Sequence, residues 1–301
     1  MLHDNPVSGA SGQRRFARLR SKIAVVSIAV VWAGGCGGEP ALLRQIEKVQ
    51  LLNDIQHRLL ESVDAEKSAV LAVTDEESSD FAAQSKRSAE EIDRLKARLG
   101  ELIAADARRD EGEKLAAFDA KWNELKEIDA RLLALAVANT NLKAARLLAR
   151  EGSAALDRFI TSVDAMTLAC SDVAVVRSLA MAATSVARIQ SLLFVHIPEA
   201  SDAEMTMLET RIRALGATVE TALRDAGPSV PSAASAATTN AAEAWTEYQR
   251  VAAEVIRLSR LNTNVISIDV STHEKRSATR ACLDSLAELR SVVQPGRFGT
   301  R

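Results

Sequence analysis

At 301 residues the chain is long enough for about two domains. Apolar residues make up 47% and charged residues 26%, which excludes a disordered chain; 3% aromatics, 13 Gly and 6 Pro favour long helices over sheets. The formal charge of −2 falls to about −6 without the first 35 residues, so no basic stripe remains and nucleic acid is excluded as a partner.

Residues 1–35 read as a signal peptide. Arg14, Arg15, Arg18, Arg20 and Lys22 precede an apolar run from Ile23 to Ala33, which is about half the ~20 residues needed to span a bilayer. Trp32-Ala33-Gly34-Gly35-Cys36 resembles the lipobox of bacterial lipoproteins, which implies cleavage before Cys36 and lipid on its thiol. Ala33 stands where that motif usually has Leu, and ordinary cleavage after Gly35 is the alternative. Residues 36–40 then form a tether, and the protein is expected in the cell envelope, facing the periplasm and lipid-anchored to a membrane.

Apolar spacing beyond the tether is helical throughout. Leu42, Ile46, Val49, Leu52, Ile55, Leu59 and Val63 step by three and four along the first helix, as do Phe118, Trp122, Leu125 and Leu132 on the third. The pattern predicts helices at 41–74, 80–106, 112–138, 141–166, 172–196, 202–226, 232–261 and 264–292. Asp110 with Glu113 and Ser201 with Glu204 form capping-box patterns, and Gly227-Pro228 stops a helix.

The second half repeats the first. Trp122 and Trp245, and the triplets Asn139-Thr140-Asn141 and Asn262-Thr263-Asn264, all recur at a spacing of 123 residues. Upstream, Val73, Glu77, Ser79 and Asp80 match Val195, Glu199, Ser201 and Asp202 after a one-residue shift. The expected architecture is therefore all-α: two tandem up-down-up-down antiparallel four-helix bundles, copy 1 at 41–166 and copy 2 at 167–292, with a tail at 293–301. A break near 167–172 would set the bundles side by side. In each triplet the first Asn (139, 262) suits a left-handed turn and the second (Asn141, Asn264) caps the next helix. Trp122 and Trp245, with apolar neighbours at helical spacing, are expected in the cores.

Catalytic chemistry finds little purchase. Asp54-Ile55-Gln56-His57 is a lone Glu-x-x-His-like pair where a di-iron site needs two, and His196 sits in the turn before Pro198, so no metal or other cofactor is expected. His273-Glu274-Lys275-Arg276 resembles the phospho-acceptor segment of sensor kinases, but Lys275 stands where an apolar residue belongs, and the segment reads as a charged helix face. No nucleophile elbow, phosphate loop or Cys-x-x-Cys occurs, and the carboxylates lie among Lys and Arg. An enzyme is not expected. Cys170 and Cys282 fall too far apart along neighbouring helices to bridge and read as small core residues.

Lys67 continues the first helix's stripe between Val63 and Val70. It either snorkels at the edge of that stripe or aims a cation between helices at an anionic ligand, with Arg58 and Arg146 as further contributors to the same groove. Three segments carry a family likeness: Asp64-Ala65-Glu66-Lys67-Ser68 near the end of a long first helix, Phe118-Asp119-Ala120-Lys121-Trp122 on a third, and Leu135 to Leu148 through the Asn-Thr-Asn turn. Together they resemble the periplasmic four-helix-bundle sensor domain of methyl-accepting chemotaxis receptors, well over 41–166 and faintly over 167–292. The resemblance implies small-molecule binding, often at a homodimer interface, and signalling by helix displacement. The chain departs from that family after Val293, where only a short tail follows, so it is expected to sense without transmitting alone. The alternative is a structural or adaptor lipoprotein whose helix faces bind another envelope protein.

Overall fold

The computed structural model describes residues 39–294. The leader, Cys36 and the last seven residues of the tail lie outside the described residues. All regular structure among the described residues is helical. The elements are α1 Glu39–Leu71, α2 Asp75–Asp106, α3 Arg109–Ala138, α4 Thr140–Leu147, α5 Ser153–Ala169, α6 Val173–His196, α7 Asp202–Ala226, α8 Ser235–Leu261, α9 Thr263–Val270 and α10 Arg276–Val293. Single π-turns, Leu148–Gly152 and Ser271–Lys275, join α4 to α5 and α9 to α10, again 123 residues apart.

Local chemistry explains most of the boundaries. Thr74 caps α2 by accepting from the Glu77 amide at 3.1 Å, so the first helix stops at Leu71 rather than running to 74. Ser201 accepts from Glu204 as its sequence pattern implied. Asp110 does not cap: it lies inside the first turn of α3, where it pairs with Arg108. Asn139 and Asn262 both adopt left-handed backbone, at φ 55° and 52°.

Neither Asn reverses the chain, and here the packing departs from the expected division at 166/167. From α3 into α4–α5 the chain keeps a single antiparallel partner, α8 running into α9–α10. Lys114–Glu288, Asp129–Lys275, Thr140–Thr263 and Glu151–Arg250 mark the register along it. The run Arg109–Ala169 covers 61 residues, about 90 Å of helical contour. As a result α4–α5 leave the first bundle and complete the second. One core joins α1, α2 and α3 to α10, through Leu52, Ile55, Trp122, Cys282 and Leu289. A smaller cluster, Ala69, Val70, Ala82, Leu132, Leu133, Ala136 and Val270, continues bundle 1 toward the waist, and the third core lies wholly within residues 144–255, through Phe159, Leu179, Val219, Trp245 and Tyr248. Bundle 2 is thus the continuous segment 140–262, inserted between the third and fourth helices of bundle 1. The bundles are end to end, with the junction at Asn139 and Asn262; the break at 170–172 is only a hairpin inside bundle 2.

The junction is reciprocal. Thr140 N–H donates to Thr263 Oγ1 at 3.0 Å and Thr263 N–H to Thr140 Oγ1 at 3.3 Å. The Asn141 and Asn264 amides each donate to the other's side-chain oxygen at 3.1 Å. Each restarting helix therefore has its first free N–H groups capped across the crossing rather than by its own chain, as sequence reasoning had assumed. Asn139 Nδ2 donates to Asp75 at 3.1 Å and Asn262 Nδ2 to the Glu199 carbonyl at 2.9 Å, tying the α1–α2 and α6–α7 hairpin tips to this waist. At the opposite end of bundle 1, Gln45 reaches the Val293 carbonyl, so α1 begins beside the end of α10.

A charged clasp closes that base. Lys48, fully buried, bonds Asp106 and buried Glu111 at 2.6 Å each, and Arg44 holds Asp106 at 2.7 Å. The two cysteines lie in different bundles. Cys282 is core, and burial pushes its thiol up to about 12; Cys170, expected in a core, is only half-buried just after α5.

Candidate functional site

The π-turn Ser271–Lys275 inserts one extra residue into a turn, a distortion often found at functional sites. It turns Lys275 inward, 2% exposed, onto Asp129 of α3. The segment read as a charged surface face therefore carries one buried cation. Beside Lys275 on α1 stands Glu66, fully buried, with no hydrogen-bond partner on either carboxylate oxygen. The Ser271 hydroxyl lies near enough to favour the anion without closing a hydrogen bond of normal geometry.

These groups line a groove of about 540 Å³ between α1 and the α9–α10 rod. Lys67 and Arg276 are exposed on its rim, and Val63, Val70, Leu71 and Ile268 supply apolar wall. Burial raises the Glu66 carboxyl above its ordinary value, against the opposing charges of Lys275 and Lys67. Burial pulls the Lys275 ammonium down to about 8, with Glu66 opposing. Lys67, Lys275 and Arg276 outnumber the two carboxyls beside them, Glu66 and the Asp129 paired with Lys275, and that balance beside an apolar wall attracts an anion with an apolar portion.

Of the sequence candidates only Lys67 lies here. Arg58 pairs with Glu61 at 2.7 Å on the exposed side of α1, and Arg146 reaches the Val73 carbonyl at the waist. The four asparagines hold the junction. His57 is exposed beside Glu61. His196 is no turn residue: it is buried at the end of α6, with Nδ1 2.6 Å from Ser259 Oγ and Nε2 3.1 Å from Glu209.

Sequence reasoning missed Glu66 and Lys275, yet a signal was present. Among the buried positions of α1, Lys48, Leu52, Ile55, Leu59, Ser62, Glu66 and Ala69 form a series of threes and fours, flanked by buried Leu51, Ala65 and Val70. Counting only apolar residues keeps Leu52, Ile55 and Leu59 but puts Leu42, Ile46 and Val63 in place of Lys48 and Glu66; the first two are exposed and the third half-buried. Lys275 likewise precedes Ala278, Cys282, Leu286, Leu289 and Val293 at core spacing. Bundle 2 does not repeat the buried cation of this groove. Gly152 stands at the position 123 residues before Lys275, and a Cβ there would meet Leu148 Cδ1 at 2.9 Å.

Residues 44–178 match the family described as the four helix bundle sensory module for signal transduction. This stretch of the chain is thus similar to a signal-transduction sensor domain. The match runs from α1 into α6, so its fourth helix is α4–α5, the rod that here packs in the other bundle. No curated protein and no solved structure matches the chain.

Proposed function

We propose that the protein is a non-enzymatic ligand-sensing module of the cell envelope, and that the α1/α9–α10 groove binds a small anionic ligand. The observation that carries this reading is the convergence of Lys67, Lys275 and Arg276 on a groove whose buried carboxyl, Glu66, has no partner of its own. The similarity to a sensory module supports the same role.

The test is thermal stabilisation by a panel of small mono- and dicarboxylates, since an anion that binds only the folded state raises its melting temperature. For any stabilising anion, Lys67→Ala and Arg276→Ala are expected to weaken binding about tenfold or more, the scale of a charge-assisted contact. Arg58→Ala and Arg146→Ala should leave it unchanged. Lys275 loses its charge as pH rises through about 8, so affinity falls across that range. Glu66 opposes the anion when ionised, and Asp129, already paired with Lys275, competes for the same cation. If no carboxylate stabilises the protein, or the four variants behave alike, the groove is not the site.

The basic and apolar order of residues 14–33 followed by Gly34-Gly35-Cys36 supports export and a lipid on Cys36. Cys36→Ala should then move the protein from the detergent phase into the aqueous phase; identical partitioning of both forms would remove the anchor. The paired π-turns and the reciprocal waist bonds between residues 123 apart support an origin by duplication. A second reading, an adaptor that docks another envelope protein or a second copy of itself, draws on Leu71, Val73, Phe194 and Val195. These apolar side chains are exposed at or beside the two hairpin tips that meet the waist.

A further inference from the structure

The two core tryptophans differ in their polar contacts. In bundle 1 the Trp122 N–H donates to Asp93 of α2 at 2.7 Å, and Lys126 closes on the same carboxylate at 2.9 Å while lying 5.6 Å from the ring centroid. Bundle 2 keeps the ring and lacks the acceptor. Trp245 is 6% exposed, and its Nε1 has no hydrogen-bond partner. Gln249, which stands 123 residues after Lys126, donates at 2.8 Å to Glu220 of α7, and Gly216 stands 123 residues after Asp93.

An orphaned buried N–H is rare, because its desolvation goes uncompensated. This one belongs to a ring that lines a groove of about 310 Å³ between α7 and α8. Ile189, Ile212 and Ile256 form apolar wall, and Gly216 leaves the α7 side bare opposite the ring, where even a Cβ would stand 3.7 Å from Trp245 Cζ2. Trp245 is held by stacking on Tyr248 at 6.0 Å, whose hydroxyl donates to Gln190 at 3.0 Å.

The rim charges choose between ligand classes. Glu220 lines the groove and disfavours a second carboxylate. Arg213, the cation of the rim, turns two of its donors onto its own helix, to Glu209 O and Thr210 Oγ1. We infer that this groove binds a small, neutral, mainly apolar molecule whose single acceptor oxygen, a ketone or amide carbonyl, takes the Trp245 N–H. The site is separate from the anionic groove of bundle 1 and does not depend on it.

Calorimetric titration of the full chain with acetophenone, ethylbenzene and benzoate tests this. Acetophenone should bind saturably, ethylbenzene about fivefold more weakly for want of the acceptor, and benzoate most weakly. Trp245→Phe should bring acetophenone to the level of ethylbenzene, and Trp122→Phe should change nothing. Gly216→Leu, which fills the groove, should abolish binding and serves if Trp245→Phe does not fold. Equal affinities of the wild type for acetophenone and ethylbenzene would overturn the inference. So would benzoate as the tightest ligand, or acetophenone binding that survives Gly216→Leu.

Discussion

Residues 140–262 expressed alone are expected to fold into a helical monomer with one cooperative melt, whereas residues 41–166 are not. The first segment contains α4 to α8 and with them every residue of its core, from Ala144 to Val255. It gives up only the waist caps from Thr263 and Asn264, a loss of about 1–2 kcal/mol per cap. The second segment lacks α10, so the faces of α1, α2 and α3 that cover Ala278, Cys282, Leu286, Leu289 and Val293 would lie open to water. Adding residues 263–294 to 39–139 in trans should restore a cooperative transition, read by circular dichroism. Should 41–166 fold unaided, the chain can turn back at Asn139, and the exchange of helices is a choice between two near-equal packings rather than an obligation.

The second large effect is expected at the base of bundle 1. Lys48→Met removes a fully buried ammonium from between Asp106 and Glu111. Asp106 retains Arg44, but Glu111 is left fully buried with only Arg108, at 3.3 Å, beside it. Breaking a buried pair this way costs about 3–5 kcal/mol, enough to lower the melting temperature by many degrees. The double change Lys48→Met with Glu111→Leu should recover most of that loss, because a buried pair and a well-packed apolar replacement are often equivalent. A single variant that melts within a degree or two of wild type would show that water reaches Glu111. Lys48 and Arg44 also hold the Asp106 carboxyl below its ordinary range. A depressed carboxyl pKa stabilises the fold above the unfolded value, and this contribution is lost as pH falls through the folded one.

Much of the molecule is local and was therefore legible in the sequence. Helix content follows from apolar spacing with few breakers, and boundaries at Ala138, His196, Ala226 and Leu261 coincide with the residues that stop them. The two tryptophans and the two Asn-Thr-Asn triplets stood out because rare residues recurred at one spacing, and the fold buries both rings in the cores and sets both triplets at the waist. Buried charges were less visible. Lys48, Glu66 and Lys275 lie on the core stripes of their helices, but a reading that counts only apolar residues passes over them.

Tertiary structure alone decided which helix completes which bundle. A left-handed Asn between helices is compatible with a hairpin or with continuation, and the sequence on either side of Asn139 suits both. The choice rests on contacts between residues 123 apart, Thr140 with Thr263 and Asn141 with Asn264, whose amides and side chains satisfy each other only when the two rods run antiparallel past the waist. The groove around Glu66 depends on the same choice, because α9–α10 bring Lys275 and Arg276 to α1 from more than 200 residues away. Helix periodicity is fixed by neighbours three and four positions apart, whereas a partner across the waist is fixed by mutual capping, and no single segment carries that information.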